Sequence, residues 1–292
     1  MRHLSILSSF LLFWLLLLGC SDKKEIAFYA WKSKCEITKD FSYPLYVKVL
    51  DFGDRVIKTT CSHPHHPVVY IDNNTLKKSS IKKIVNRIKN DVKGSELQVD
   101  CDWTNATKEK YFKLLKLLKK RYKNISVTIR LHQLKYQKQT GIPPVTKGVL
   151  MFYNMSDFLN PKTKNYILDL DVAKSYLKGF KSYPLKLDLA LPLYSQATIM
   201  RDDKVIGLID DIRKKELDNF FKKIGKNHYQ LTKTHYFKGR LFYEGDVIRV
   251  DEVSLKMLKK ALNLIPFDYK KVIFFRYSNL KDWDIEKLKD LS

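Results

Sequence analysis

The sequence predicts an α/β chain folded as a (β/α)8 TIM-type barrel, with an α+β insertion near the C-terminal third. Three observations lead there. Eight apolar, β-like runs recur along the chain, amphipathic helical patterns lie between several of them, and one stretch, 195–250, departs from that alternation. Strand followed by helix, repeated, means parallel strands joined by right-handed crossovers. Eight such strands in 292 residues suit a closed barrel. The alternative, an open doubly wound sheet, ordinarily carries a glycine-rich phosphate loop, which is missing here.

The β-like runs, in order, are IAFYAW (26–31), YPLYVKVLDF (43–52), HPVVYID (66–72), ELQVDCD (96–102), ISVTIRL (125–131), GVLMFYN (148–154), LKLDLALPL (185–193) and VIFFRY (272–277). Helical patterns fall at 79–92, 108–123, 169–180 and 254–265. In the second of these, Tyr111, Leu114, Leu115, Leu118 and Tyr122 share one face, with lysines opposite. Within 195–250, Asp202-Asp203 marks a hairpin-like turn, and Lys-Gly and Glu-Gly-Asp turns separate further β-like runs. No internal repeat or low-complexity segment is present.

The N-terminus reads as a targeting segment. MRHLSILSSFLLFWLLLLGC has a short basic start at Arg2 and His3, an apolar core from Phe10 to Leu18, and a small residue, Gly19, before Cys20. The apolar run is short for a membrane span and suits a signal h-region. Its end looks like the bacterial lipobox, where cleavage precedes a cysteine that then carries lipid. The expected organisation is a signal peptide at 1–19, a lipidated tether at 20–25 and a barrel domain at 26–292. The protein is then expected at a bacterial cell envelope, on the outer membrane, held by lipid on Cys20. An uncleaved N-terminal anchor is the alternative.

The 55 basic and 31 acidic residues give a formal charge of +24. Such a balance favours anionic surfaces: phospholipid headgroups, acidic polysaccharide or nucleic acid. The lysines are spread along the chain, a pattern that also serves solubility. No helix-turn-helix, zinc-finger or RNP-like pattern occurs, so no nucleic-acid partner is expected. Cys35, Cys61 and Cys101 remain after Cys20. A disulfide between Cys35 and Cys61 is one possibility and stays open. Cys101, between two aspartates, should point away from them into packing. HPHH at 63–66 reads as a loop, and no metal or cofactor is expected.

In a barrel of this kind the site lies at the C-terminal ends of the strands. The candidates there are Trp31, Asp72, Asp100, Asp102, Trp103, Arg130, His132, Gln133, Tyr153, Asn154, Tyr194 and Arg276. Asp100 and Asp102 are two residues apart, so as strand residues both would point into the barrel. Paired carboxylates repel when ionised, so one should hold its proton more tightly. A held proton is what general-acid cleavage of a glycosidic bond needs. Flat aromatic faces suit sugar rings. Singly, each feature also has a structural reading, as packing or as a loop anchor.

The stretches VDCDW and MFYN resemble motifs of the chitinase-like glycoside hydrolase superfamily of (β/α)8 barrels. That family carries D-x-x-D-x-D-x-E on strand four and M-x-Y-D on strand six. Asp100 and Asp102 fall on the last two aspartates; Met151, Tyr153 and Asn154 fall on the second motif, with Asn replacing Asp. The resemblance implies cleavage of N-acetylated β-glycans, the penultimate Asp orienting the substrate acetamido group and the final Glu acting as acid. Thr104 stands at that Glu position, and VVYIDNN stands where the family has a glycine-rich strand. QVDCDWT, TIRLHQ, TGIPP, LMFYNM and LALPLYS also resemble a group of uncharacterised bacterial lipoproteins, over most of 26–210; that group brings no established activity.

Three functions compete. In one, a glycoside hydrolase, Asp102 is general acid, Asp100 orients or stabilises charge, and Tyr153 donates a hydrogen bond near the reacting carbon. Trp31, Asp72, Trp103, Arg130, His132, Gln133, Asn154, Tyr194 and Arg276 then hold substrate. In the second, the same rim binds a glycan, peptide or other partner without chemistry; in the third, an envelope assembly or scaffold lipoprotein, the 195–250 insertion contacts a partner. The sequence carries no signal for an oligomeric state.

Overall fold

The computed structural model describes residues 24–291. The expected signal peptide, Cys20 and the start of the tether lie outside the described residues. Eight parallel strands close a barrel: β1 (Glu25–Ala30), β2 (Leu45–Phe52), β4 (His66–Ile71), β5 (Glu96–Asp100), β6 (Asn124–Arg130), β7 (Lys147–Met151), β8 (Lys186–Pro192) and β16 (Lys271–Phe275). A short β3 (Val56–Lys58) runs antiparallel beside β2. The barrel is sealed where β1 pairs with both β16 and β2.

All eight barrel strands coincide with the runs read from the sequence. Their aliphatic and aromatic residues are buried along nearly the whole length, as in β8, where only Lys186 is exposed. That is expected of parallel strands covered on both faces. The helices are α1 (Asn73–Lys78), α2 (Ile81–Asp91), α3 (Lys108–Leu118), α4 (Leu131–Lys135), α5 (Gln137–Thr140), α6 (Leu170–Leu177), α7 (Leu255–Leu262) and α8 (Ile285–Lys289). α3 buries Tyr111, Leu114, Leu115 and Leu118, the face its periodicity defines.

Two crossovers depart from strand–helix alternation. β1 to β2 is a loop, and β2 to β4 passes through β3 and another loop. A disulfide between Cys35 and Cys61, with Cα atoms 5.2 Å apart, ties these loops together. It settles the pairing left open by the sequence. Cys101 is a free thiol buried in the core.

The insertion lies between β8 and α7. β9 (Gln196–Arg201), β10 (Lys204–Asp210), β11 (Phe221–Lys223), β12 (His228–Leu231) and β15 (Val247–Asp251) form a sheet in the order β10-β9-β15-β12-β11, beside the hairpin β13 (His235–Phe237) and β14 (Arg240–Phe242). Asp202 and Asp203 both have positive φ, 49° and 58°. That is the backbone a two-residue hairpin loop needs to match strand twist. Against the α+β expectation, the helical content here is one 3₁₀ turn, Lys214–Glu216. A separate small core forms around Ile199, Phe221, Leu231, Phe242 and Ile248.

One polar network ties the insertion to the barrel. The Arg249 side chain is wholly buried and donates to Asp251 at 3.0 Å, to Thr198 Oγ1 at 3.0 Å and to the Asn160 carbonyl at 3.2 Å. Asn227 donates to Asp251 at 3.0 Å and to the Lys164 carbonyl at 2.9 Å. Asn160 and Lys164 belong to the long connection after β7, so insertion residues hold that connection in place.

Candidate functional site

Three neighbouring strands, β5, β6 and β7, deliver the central residues at the C-terminal mouth of the barrel. β5 ends at Asp100, so Asp100 and Asp102 do not share a strand environment. Asp100 points inward, is 3% exposed, and accepts a 2.6 Å hydrogen bond from Thr128 Oγ1. Burial, reinforced by the nearby Asp102 charge, pushes its pKa up to about 6 against the opposing pull of Arg130, Thr128 and Lys48. Asp102 lies past the strand end and is exposed. Arg130, the last residue of β6, grips it through both oxygens, with Nε at 2.5 Å and Nη2 at 2.8 Å. Such two-pronged pairing fixes geometry as well as charge.

This ion pair sits in the wall of an open cleft of about 530 Å³. Asp102, Arg130, His132, Tyr153 and Asn154 line it, and Asp157, Phe158, Tyr166 and Tyr176 form further walls. Tyr153 is 3% exposed, stacks on Phe275 at 5.3 Å, and points its hydroxyl at Met151 Sδ, 3.5 Å away. Burial raises that hydroxyl's pKa well above the ordinary phenol value. Asn154 takes a positive φ of 54° and accepts a hydrogen bond from the Tyr194 hydroxyl. Tyr194 therefore acts from behind Asn154 and does not line the cleft. Thr104 also reaches the cleft; its N–H donates to Thr107 Oγ1 at 3.0 Å.

Other candidates are placed elsewhere. Asp72 caps α1, accepting from the N–H groups of Asn74 and Thr75 at 2.8 and 3.0 Å. Removing it as Asp72→Ala is expected to cost about 1 kcal/mol of stability, as lost caps generally do; urea unfolding measures this, with ligand affinity unchanged. Gln133 is wholly buried and accepts from the Arg130 N–H at 2.8 Å, starting α4. Trp103 borders the cleft but is 3% exposed, with its ring stacked on Tyr111 and its indole N–H donated to the Thr140 carbonyl. Trp31 packs against Tyr29 and Phe275 outside this cleft, with the Lys48 ammonium 5.2 Å from its ring centre. Arg276 pairs with Asp211 beside β10, joining the end of β16 to the insertion. Among the described residues no group of three or more His, Cys, Asp or Glu is arranged to hold a metal ion.

Several cleft residues carry no signal in the sequence. Asp157, Phe158 and Tyr166 lie on the irregular connection after β7, and Tyr176 lies on α6. The connection has no periodicity to read, although Asn160-Pro161 marks it as loop. Tyr176 falls within a helical pattern, where an aromatic reads as packing.

By fold the chain is a closed (β/α)8 barrel, and it is similar to solved barrels of the chitinase-like class. Solved structures of that class align along most of the chain. A class V chitinase from Nicotiana tobaccum matches with a TM-score of 0.51 and 9% identity, covering 92% of this chain and 98% of that one. A chitinase from Chromobacterium violaceum gives 0.53 and 8%, over 92% and 97%. A chitinase-like agglutinin from Robinia pseudoacacia gives 0.54 and 11%, over 91% and 98%. At these identities the likeness is one of fold. No family model and no curated protein matches the sequence.

Proposed function

We propose that the chain is an envelope lipoprotein, lipidated at Cys20, whose barrel binds a glycan at the Asp102–Arg130 cleft. The carrying observation is the Arg130–Asp102 pair, held two-pronged in an open cleft with tyrosines and a phenylalanine on its walls. A fixed ion pair presents both donors and acceptors to sugar hydroxyls, while aromatic faces accept the apolar faces of the rings. Structural neighbours include a chitinase in complex with NAG4 and a chitinase-like agglutinin, so N-acetylated oligosaccharides are the first ligands to test.

Binding fits the site better than hydrolysis. Asp102, the acid expected from the sequence, has both oxygens committed to Arg130, and Thr104 occupies the position that the motif resemblance gives to the catalytic Glu. The observation favouring hydrolysis is the raised pKa of Asp100, but that carboxyl lies beneath the cleft and is not among its lining residues.

Titration calorimetry with chitooligosaccharides, run beside an assay for new reducing ends, tests the reading. Binding without release is expected. Arg130→Gln should weaken binding about tenfold, since a charge-assisted two-pronged contact is lost. Loss of the Asp102 pairing alone should cost below about 1 kcal/mol, because that carboxylate is half exposed, and a further loss should appear above about pH 6, where Arg130 also offsets the buried Asp100 charge. Release of new ends by the parent chain, abolished in Asp100→Asn, would establish hydrolysis instead; absence of both binding and release would remove the glycan reading.

A further inference from the structure

The N-terminal mouth of the barrel, opposite the cleft, carries a second opening of about 740 Å³. Phe180, Tyr183, Phe267 and Tyr269 line it, with Leu185 and Leu187 beside them. Lys181, Lys186 and Lys270 stand exposed around it, with Asp268 as the one uncommitted acid of the lining; Asp188 is already paired with Lys147. These residues come from the connections entering β8 and β16, and their half-buried rings leave an aromatic-walled groove under a basic rim.

The chain's described start lies at this groove. The Glu25 N–H donates to the Lys270 carbonyl at 2.9 Å, and the Lys24 ammonium lies 5.5 Å from the centre of the Tyr269 ring. Cys20 is four residues upstream of Lys24. Four extended residues reach at most about 14 Å. A lipid on Cys20 therefore brings the membrane surface within about that distance of Lys24, which lies over the Tyr269 ring. The field of anionic headgroups extends over a screening length of about 8 Å, so lysines on this face feel it when the tether is shorter than its full reach and the face turns to the bilayer.

We infer that the N-terminal mouth docks on a bilayer surface bearing anionic phospholipid, with Lys181, Lys186 and Lys270 at the headgroups and the aromatic groove against the interface. This rests on the lipid-anchor reading of Cys20. Tyrosine and lysine suit that layer, since each combines an apolar body with a polar tip. Docking there points the Asp102–Arg130 cleft away from the membrane, toward whatever glycan lies beyond it.

Two measurements separate the anchor from the face. The mass of the N-terminal peptide from membrane-extracted protein shows whether Cys20 carries lipid. For the face, the lipidated chain is placed in vesicles of phosphatidylcholine with phosphatidylglycerol, or of phosphatidylcholine alone, and amide hydrogen exchange is followed. The expected result is slower exchange over 178–186 and 263–270 only with phosphatidylglycerol, and no change over 154–165. Equal protection in both vesicles would assign the groove to an acyl chain and overturn charge-led docking, as would protection centred on the cleft. If Cys20 proves unmodified, the chain from Ser21 onward, which contains every barrel strand, still tests the face by flotation with phosphatidylglycerol vesicles. There the Lys181→Glu, Lys186→Glu, Lys270→Glu variant should bind roughly a hundredfold more weakly, at about fivefold or more per lysine. Unchanged flotation of that variant, or none by the parent chain, would overturn the proposal.

Discussion

Asp251→Ala is expected to destabilise the protein by about 3–5 kcal/mol, the largest effect of any single change considered. Arg249 and Asp251 are both completely buried, and Asp251 is the carboxylate that neutralises the Arg249 guanidinium. Breaking such a pair from one side leaves a charge without compensation in a region water does not reach. Asn227 loses an acceptor at the same time. The damage should not stay in the insertion. Arg249 and Asn227 also hold the carbonyls of Asn160 and Lys164, on the connection that supplies Asp157, Phe158 and Tyr166 to the cleft. Urea unfolding should show the loss of stability, and calorimetry should show weaker glycan binding. Replacing both members with apolar residues of similar volume, as Arg249→Met with Asp251→Leu, should recover much of the stability. A loss below about 1 kcal/mol in the single variant would mean that water or a shifted side chain compensates Arg249.

Asp100→Asn is expected to stabilise the folded protein at neutral pH, by about 2–3 kcal/mol. The folded-state pKa is pushed up to about 6, whereas an unfolded aspartate titrates near ~3.9. Between those values the folded chain binds more protons than the unfolded one. Stability contributed by this group is therefore present at low pH and lost as pH rises from about 4 to about 6. Each tenfold gain in proton affinity on folding corresponds to about 1.4 kcal/mol. The variant removes the charge that burial penalises and keeps an oxygen for the Thr128 hydroxyl. Its advantage over the parent should vanish near pH 4 and be complete by about pH 8. Unfolding free energies measured across that range decide the matter. A variant with no greater advantage at the alkaline end than at the acid end would show that Asp100 is not desolvated as its position indicates.

The barrel was legible because each of its strands is a run of aliphatic and aromatic residues too short for a helix, and four crossovers announce helices by periodicity. The two crossovers without helices were not legible. Their loops carry polar, irregular sequence, and what holds them is a disulfide, whose partners no spacing rule fixes. Of the candidates, Asp102, Arg130, His132, Tyr153 and Asn154 do line the cleft, and they were legible because they stand at or just past strand ends in the sequence. The same rule also gathered Asp72 and Gln133, which the structure uses at helix starts. A capping side chain and a ligand-binding one are the same residue types, so a place at a strand end does not tell them apart. The opposite fates of Asp100 and Asp102 turned on where β5 stops, a boundary that alternation alone does not mark.

The seam between β1 and β16 also sets a timetable. Glu25 is in register with Lys271, so the first strand of the fold waits for nearly the whole chain before it gains that neighbour. A chain that emerges N-terminus first, from a ribosome or a translocation pore, can pair β1 with β2 and build outward, and can complete the small insertion sheet, but it cannot become a cylinder until β16 is released. Until then β1 and β8 present open edges, the kind of template on which other chains add. A chain truncated before Lys271 would therefore yield an incomplete, adhesive sheet, and the codons for β16 govern whether the strands made before them become usable protein.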